Sequence, residues 1–236
     1  LGFDAPQHLE YVQYVLTRRA LPLADQGWQA FQPPLYYALA AAGLGLAGLQ
    51  VSSPDAVYVF RALGLGLGLT NLVLTGLVLR RAFFARPSLQ VTGLVVAAFL
   101  PPMLYLHQFP TNEILVATLS TSVVLATMGL VQDEAPGPLR FALLGVLLGL
   151  AMLAKFSALL LWPGVLGALA LRAWRGPRER LGSRLAPIAG TAVVAIAVSG
   201  WHFARVWARF GDPFVGGWEA KRGIGWWLDP GYRTWR

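Results

Sequence analysis

Asp4, His8 and Glu10 fall together in GFDAPQHLEY (residues 2–11), within a chain that is 56% hydrophobic and only 13% charged. A carboxylate held beside an apolar surface has its pKa raised by desolvation, which suits it to act as a base. His8 and Glu10 are then expected on the wall of the same cavity. Asp4 also precedes Pro6 and could simply cap a helix over 6–19. Glu113 closes HQFPTNE (residues 107–113). There Thr111 or Asn112 can cap the following helix, and an acid in its first turn suits the helix dipole. Capping leaves the gathering of His107, Asn112 and Glu113 unexplained. Lys155 is a lone cation between two apolar runs in GVLLGLAMLAKFSALLLWPG (145–164). At that depth a charge is costly and by default marks a site. It either snorkels to the interface or meets a phosphate.

FQPPLYYA (31–38) combines a Pro-Pro helix start with Tyr36 and Tyr37, expected as interfacial anchors, and Gln32, expected to face the cavity of Asp4. GWHFARVWARFGDPF (200–214) sets His202, Arg205 and Arg209 at a helix end before a turn. Trp218, Trp226, Trp227 and Trp235 follow. They read as an interfacial belt, with sugar stacking the less favoured use.

These residues are carried by apolar runs at 62–79, 88–106, 114–131, 141–154, 156–171 and 185–200. Soluble domains are about 25% charged, and a bilayer crossing takes roughly 17–25 apolar residues. The chain therefore reads as an integral membrane protein. The runs must be helices, because an open strand leaves its backbone unsatisfied in lipid. Fold class is all-α, a polytopic bundle with external juxtamembrane helices. Gly64, Gly66, Gly68, Gly145 and Gly149 are expected to permit close helix packing. With no Cys there is no thiolate nucleophile, disulfide or Cys-based metal site. The net charge of +8 gathers mainly in short loops between apolar runs, which fits anionic lipid rather than nucleic acid.

RRAFFARPS (80–88) and RAWRGPRERLGSR (172–184) should be cytoplasmic, and parity puts QDEAPGPLR (132–140) on the same side. The segment 100–113, the break at 154–156 and everything after about 206 then lie outside. So do 51–61 and the opening stretch, which makes 33–50 a juxtamembrane helix rather than a crossing. The chain divides into an external loop with juxtamembrane helices (1–60), transmembrane helices (61–206) and the start of an external loop (207–236). With Leu1 in first place and an abrupt end at GYRTWR, it reads as a piece of a longer protein that lacks a first helix and a C-terminal part.

The ordered set Asp-x-Pro-x-His, Gln-Pro-Pro-Leu-Tyr-Tyr, Asn-Glu at a helix mouth, a Gly-Leu-rich helix ending in Lys, and an aromatic/Arg helix end with Gly-Asp-Pro resembles the GT-C glycosyltransferases. The bacterial relatives of protein O-mannosyltransferases and aminoarabinose transferases are the nearest in kind, through their N-terminal module. The resemblance implies an inverting transferase of the cell inner (plasma) membrane, active at the external face, with a polyprenyl-phosphate sugar as donor. Asp4 matches the acid of the first external loop, and Glu113 that of the second. Lys155, with Arg61 or Arg205, would meet the donor phosphate. His8, Gln32, Tyr36, Asn112, His107 and His202 would line the substrate cavity. Ala5 stands where the family often has a second acid, and Gln32 where relatives have an acid before Pro. No metal site is indicated, though the resemblance leaves a divalent metal open, and no resident cofactor is implied beyond the lipid-linked donor; the sugar and acceptor stay open. The competing readings are a transporter or flippase of a lipid-linked or small polar solute, whose site would lie near the bilayer midplane, and a scaffold, which leaves Lys155 without a purpose.

Overall fold

The structure is a computed structural model that describes residues 4–175, 181–219 and 224–225. Trp226, Trp227 and Trp235, and Arg178 and Arg180 of the second basic loop, lie outside the described residues. Among those described, the chain is a helical bundle: α1 (Ala5–Arg18), α2 (Leu35–Ala47), α3 (Ala56–Ala82), α4 (Pro87–Phe99), α5 (Pro101–Leu106), α6 (Glu113–Gln132), α7 (Pro138–Ala154), a 3-10 turn (Phe156–Leu160), α8 (Leu161–Trp174) and α9 (Leu181–Phe210). A two-residue antiparallel bridge, Trp218–Glu219 with Ile224–Gly225, follows α9.

Four segments are long and apolar enough to cross a membrane: Ala56–Ala82, Glu113–Gln132, Phe156–Trp174 and Gly182–Phe210. Their outward faces carry Leu65, Leu69 and Val73 on α3 and Val193 and Ile196 on α9, all exposed. Water would not tolerate such a surface on a monomer; lipid does. At 13 residues, α2 spans about 20 Å, short of the roughly 30 Å hydrocarbon core. It ends at Gly48, whose φ of 66° closes the last turn as its N–H and that of Leu49 return to the carbonyls of Gly45 and Leu44.

The apolar run 88–106 is not one helix. Leu100 is extended (φ −60°, ψ 121°) because the ring of Pro101 disfavours a helical residue before it. The chain breaks there into α4 and α5. The glycines of α7 work as expected: α9 lies so close that a Cβ on Gly145 would sit 2.6 Å from the Thr191 carbonyl, and one on Gly149 2.6 Å from the Val198 Cβ. Gly66, in contrast, faces open space.

The charged contacts sort to the two ends of the bundle. At one end Arg81 donates to the Leu125 carbonyl, Arg140 pairs with Asp133, and Arg172 donates to the carbonyls of Asp133 and Glu134. At the other, α1 and α2 pack on the starts of α3 and α6 and the end of α7, around a core of Tyr11, Val12, Tyr36, Tyr37, Leu44, Phe60, Leu115 and Ala154. Tyr36 and Tyr37 are therefore buried core residues, not interfacial anchors. They are drawn inward because α1 offers a matching aromatic face: Tyr11 and Tyr37 stack at 3.7 Å, and Tyr36 meets Tyr37 edge-on at 5.6 Å.

Candidate functional site

The inward face of α1 carries Ala5, His8, Tyr11 and Val12, three or four residues apart as a helix requires. Asp4 stands at its N-cap position, yet its side chain caps nothing. Only its carbonyl serves the helix, accepting the N–H of Gln7 and of His8 at 3.2 Å each. The carboxylate is used elsewhere. Its Oδ2 accepts from His8 Nε2 at 3.3 Å and from Gln29 Nε2 at 3.5 Å, both long contacts. A carboxylate only accepts, so Nε2 bears the imidazole proton, and in neutral His8 Nδ1 accepts from the Tyr37 hydroxyl at 2.8 Å. Tyr37, His8 and Asp4 thus form a chain of oriented groups running from the core to the surface.

The expectation of a raised pKa at Asp4 is overturned. The hydrogen bond from His8 outweighs desolvation, and the charges of His8 and Lys155 add to it, so the carboxyl lies below its ordinary value of 3.8. With the Asp4 side chain 42% exposed, burial is too shallow to win. Asp4 is thereby held ionised and oriented, at some loss of basicity.

The second half of the site lies where α7 ends. Lys155 leaves the helix with an extended backbone (φ −159°, ψ 133°) before the 3-10 turn begins. Asn112, buried at the N-cap position of α6, makes no side-chain cap there. Its amide instead crosses to donate to the Ala154 carbonyl at 2.9 Å, one of the acceptors orphaned where α7 stops, and to Gln32 Oε1 at 3.3 Å. The Glu113 N–H is met at 3.4 Å by Thr111 Oγ1, so Thr111, not Asn112, serves that helix start. Glu113 and Lys155 form an ion pair. Burial pushes the Tyr37 phenol well up; Tyr11 and Tyr36 beside it, and then the charges of Asp4 and Glu113, push it further. The charges of Asp4 and Glu113 both act on Tyr37, and that of Lys155 acts on Asp4, so the three gather at this end of the bundle; Asn112 joins Gln32 there, and Tyr36 is buried against the Thr111 backbone.

Four expected residues stand apart from this group. Arg61 is exposed on α3 and pairs with none of the described residues. His107 packs into α3 at Gly64 and Gly68, its Nε2 buried without a partner, and lines a groove of about 410 Å³ between α3 and α4–α5. The two glycines draw it there, since a Cβ on Gly68 would meet its ring. His202 is buried on α9 with Nδ1 unpartnered. Arg205 donates to the carbonyls of Leu21 and Pro22, the latter at 3.2 Å, while Arg209 pairs with Asp25 at 2.8 Å. These two cations tie the 19–34 loop to α9. Glu10, expected beside Asp4, is exposed on another face of α1.

Gln29 and Thr111 were not among the expected site residues. Nothing in the local pattern around Gln29 points to Asp4; only the folding back of the 19–34 loop joins them. Among the described residues no group of three His, Asp or Glu converges to hold a metal ion. The groups present fit an anion beside Lys155 and a proton-bearing group beside Asp4. No family model, curated protein or solved structure matches this chain.

Proposed function

We propose that this protein is a glycosyltransferase of the cell inner membrane that moves a sugar from a polyprenyl-phosphate donor to an acceptor hydroxyl or amine at the outer face. The single observation that supports it most is the gathering of Asp4, Glu113 and Lys155 at the end of the bundle opposite the Arg81, Arg140 and Arg172 contacts. A basic end faces the cytoplasm by the positive-inside rule, which turns the site outward.

In this reading the acceptor oxygen or nitrogen attacks the anomeric carbon as the bond from that carbon to the phosphate oxygen breaks. Asp4 takes the acceptor's proton, and the phosphate leaves with the bonding pair. Oδ2 of Asp4 is held by His8 and Gln29, while Oδ1 receives no hydrogen bond from the described residues and faces the proton. Lys155 meets the charge that grows on the leaving phosphate, an interaction strongest in the transition state. Glu113 holds Lys155 in place until the phosphate arrives. A transporter would instead place ionisable groups at mid-membrane. Midway along α3 and α6 the polar contacts are neutral, Thr121 donating to Asn71 Oδ1 at 2.7 Å and Thr118 to the Leu67 carbonyl at 3.1 Å.

The test is to reconstitute the full-length protein in vesicles with a labelled polyprenyl-phosphate sugar. Release of polyprenyl phosphate with transfer of the label to an acceptor is expected. Translocation of the intact donor without cleavage would overturn the transferase in favour of a flippase.

A further inference from the structure

A hollow of about 60 Å³ lies between α1 and the 22–30 loop, against the outside of the Asp4 group. Gln7, Glu10, Tyr14, Gln26, Trp28 and Gln29 supply its polar and aromatic wall. Two of them carry an unmet need: Oε1 of Gln7 and Oε1 of Gln29 are both buried and accept no hydrogen bond. Gln29 is only 6% exposed, and its Nε2 is committed to Asp4, which fixes Oε1 on the other side of the amide. Buried acceptors left empty are rare in native proteins and call for an explanation.

We infer that this hollow is a subsite for the hydroxyl edge of a sugar, which the two glutamine oxygens and the neighbouring amides read while the ring rests against Trp28. The wall presents acceptors in Gln7 Oε1, Gln29 Oε1 and the Glu10 carboxylate. It also presents a donor in the Gln26 amide, whose Oε1 is already taken by the Leu23 N–H at 2.8 Å. A hydroxyl both donates and accepts, so it satisfies both sets; an ammonium satisfies only the first. A single water needs about 10–15 Å³ of such space, so the hollow has room for the several hydroxyl groups along one edge of a sugar. Arg18 covers the Tyr14 ring at 5.0 Å, which leaves Trp28 as the open aromatic surface. Gln29 then links recognition to chemistry, because one end of its amide senses the sugar and the other holds the Asp4 carboxylate. The inference deepens the proposed transferase and rests on it for the identity of the sugar as a substrate.

The experiment uses the full-length protein in nanodiscs, methyl pyranosides as probes, and saturation-transfer NMR or calorimetry as the readout. Cyclohexanol and ethanolamine are the controls. Saturable pyranoside binding that exceeds both controls is expected. Gln7→Met should raise the Kd about five- to tenfold, the worth of one neutral hydrogen bond, while the melting temperature stays level or rises. Trp28→Leu should weaken binding as well. Competition separates the two sources of the hydroxyls: polyprenyl-phosphate sugar displaces the pyranoside if the hollow holds the donor's sugar and leaves it bound if it holds the acceptor's. A Kd unchanged in both variants, or ethanolamine binding more tightly than any pyranoside, overturns the subsite. Pyranoside binding that is sensitive to Gln7 in a protein showing no transfer supports the subsite, and only the transferase reading falls.

Discussion

Lys155 and Glu113, 42 residues apart in sequence, are joined as an ion pair where α7 breaks off and α6 begins. The pair is half open to solvent, at 22% and 39% side-chain exposure. Exposed pairs contribute about 0–1 kcal/mol to stability, so this one is a weak reason to keep a cation at a membrane boundary. A leaving phosphate is a stronger one.

Lys155→Met should therefore leave the melting temperature nearly unchanged while donor affinity or turnover falls by one to two decades. That is the loss of a hydrogen bond to a charged group, about 1.5–3 kcal/mol. Lys155→Arg should rescue in part, because a planar fork does not replace a compact ammonium. Affinity for polyprenyl-phosphate sugar and thermal stability are measured on the same variants. Unchanged affinity with raised stability would sink the phosphate role.

Asn112→Leu is expected to act on the fold. It removes the donor to the Ala154 carbonyl and to Gln32, both in the buried junction. Each buried group left unsatisfied costs about 1–3 kcal/mol. A fall of several degrees in thermal unfolding should follow, whereas Thr111→Val, which loses one long bond at the α6 start, should cost less.

The carboxyl of Asp4 gives a pH dependence whose sign is fixed. Its folded pKa lies below 3.8 through the His8 hydrogen bond, so it contributes stability above the unfolded value. That contribution disappears as pH falls through the depressed folded value. The destabilisation caused by Asp4→Asn should be seen at pH 6 and shrink as the pH falls below 3.8 in paired thermal melts. The effect is small because the side chain is partly exposed. A difference between wild type and Asp4→Asn that stays constant across this range would show that the carboxylate gains nothing from His8.

Helix packing offers a sharper contrast. Gly149→Val places a side chain 2.6 Å from the Val198 Cβ and 2.8 Å from the Ala195 carbonyl, so it should cost about 1–3 kcal/mol or more. Gly66→Ala meets nothing within 4 Å and should be neutral or slightly stabilising. Unfolding of the two variants in matched detergent compares them directly.

The bundle was legible in the sequence because burial in lipid demands long charge-free runs, and all of those runs are helical, with 88–106 split into α4 and α5 and 156–171 opening on a 3-10 turn. The break at Leu100 was legible in principle from Pro101, but a hydropathy reading passes over it. Lys155 and Glu113 stood out by type, as charges at the ends of apolar runs, and Gln32 and Asn112 by their place beside helix starts. Their partners were harder to see. His8 pairs with Tyr37, and Gln29 with Asp4, through the packing of α1 on α2 and the return of the 19–34 loop, and neither has a local signature. Tyr36 and Tyr37 look like interfacial residues until α1 supplies an aromatic face to bury them. Arg205 reads as an anion ligand until the carbonyls of Leu21 and Pro22 take it.

The central claim is that Asp4 removes the acceptor's proton, and the most direct measurement is single-turnover sugar transfer by Asp4→Asn in the full-length protein, with donor affinity read on the same sample. The side chain is close in shape and has no cap to lose. Transfer should fall by about 10²–10⁴-fold, the usual worth of a general base, while donor affinity and insertion in the membrane hold. Near-normal turnover in Asp4→Asn would contradict the account and leave Asp4 only as a partner for His8 and Gln29.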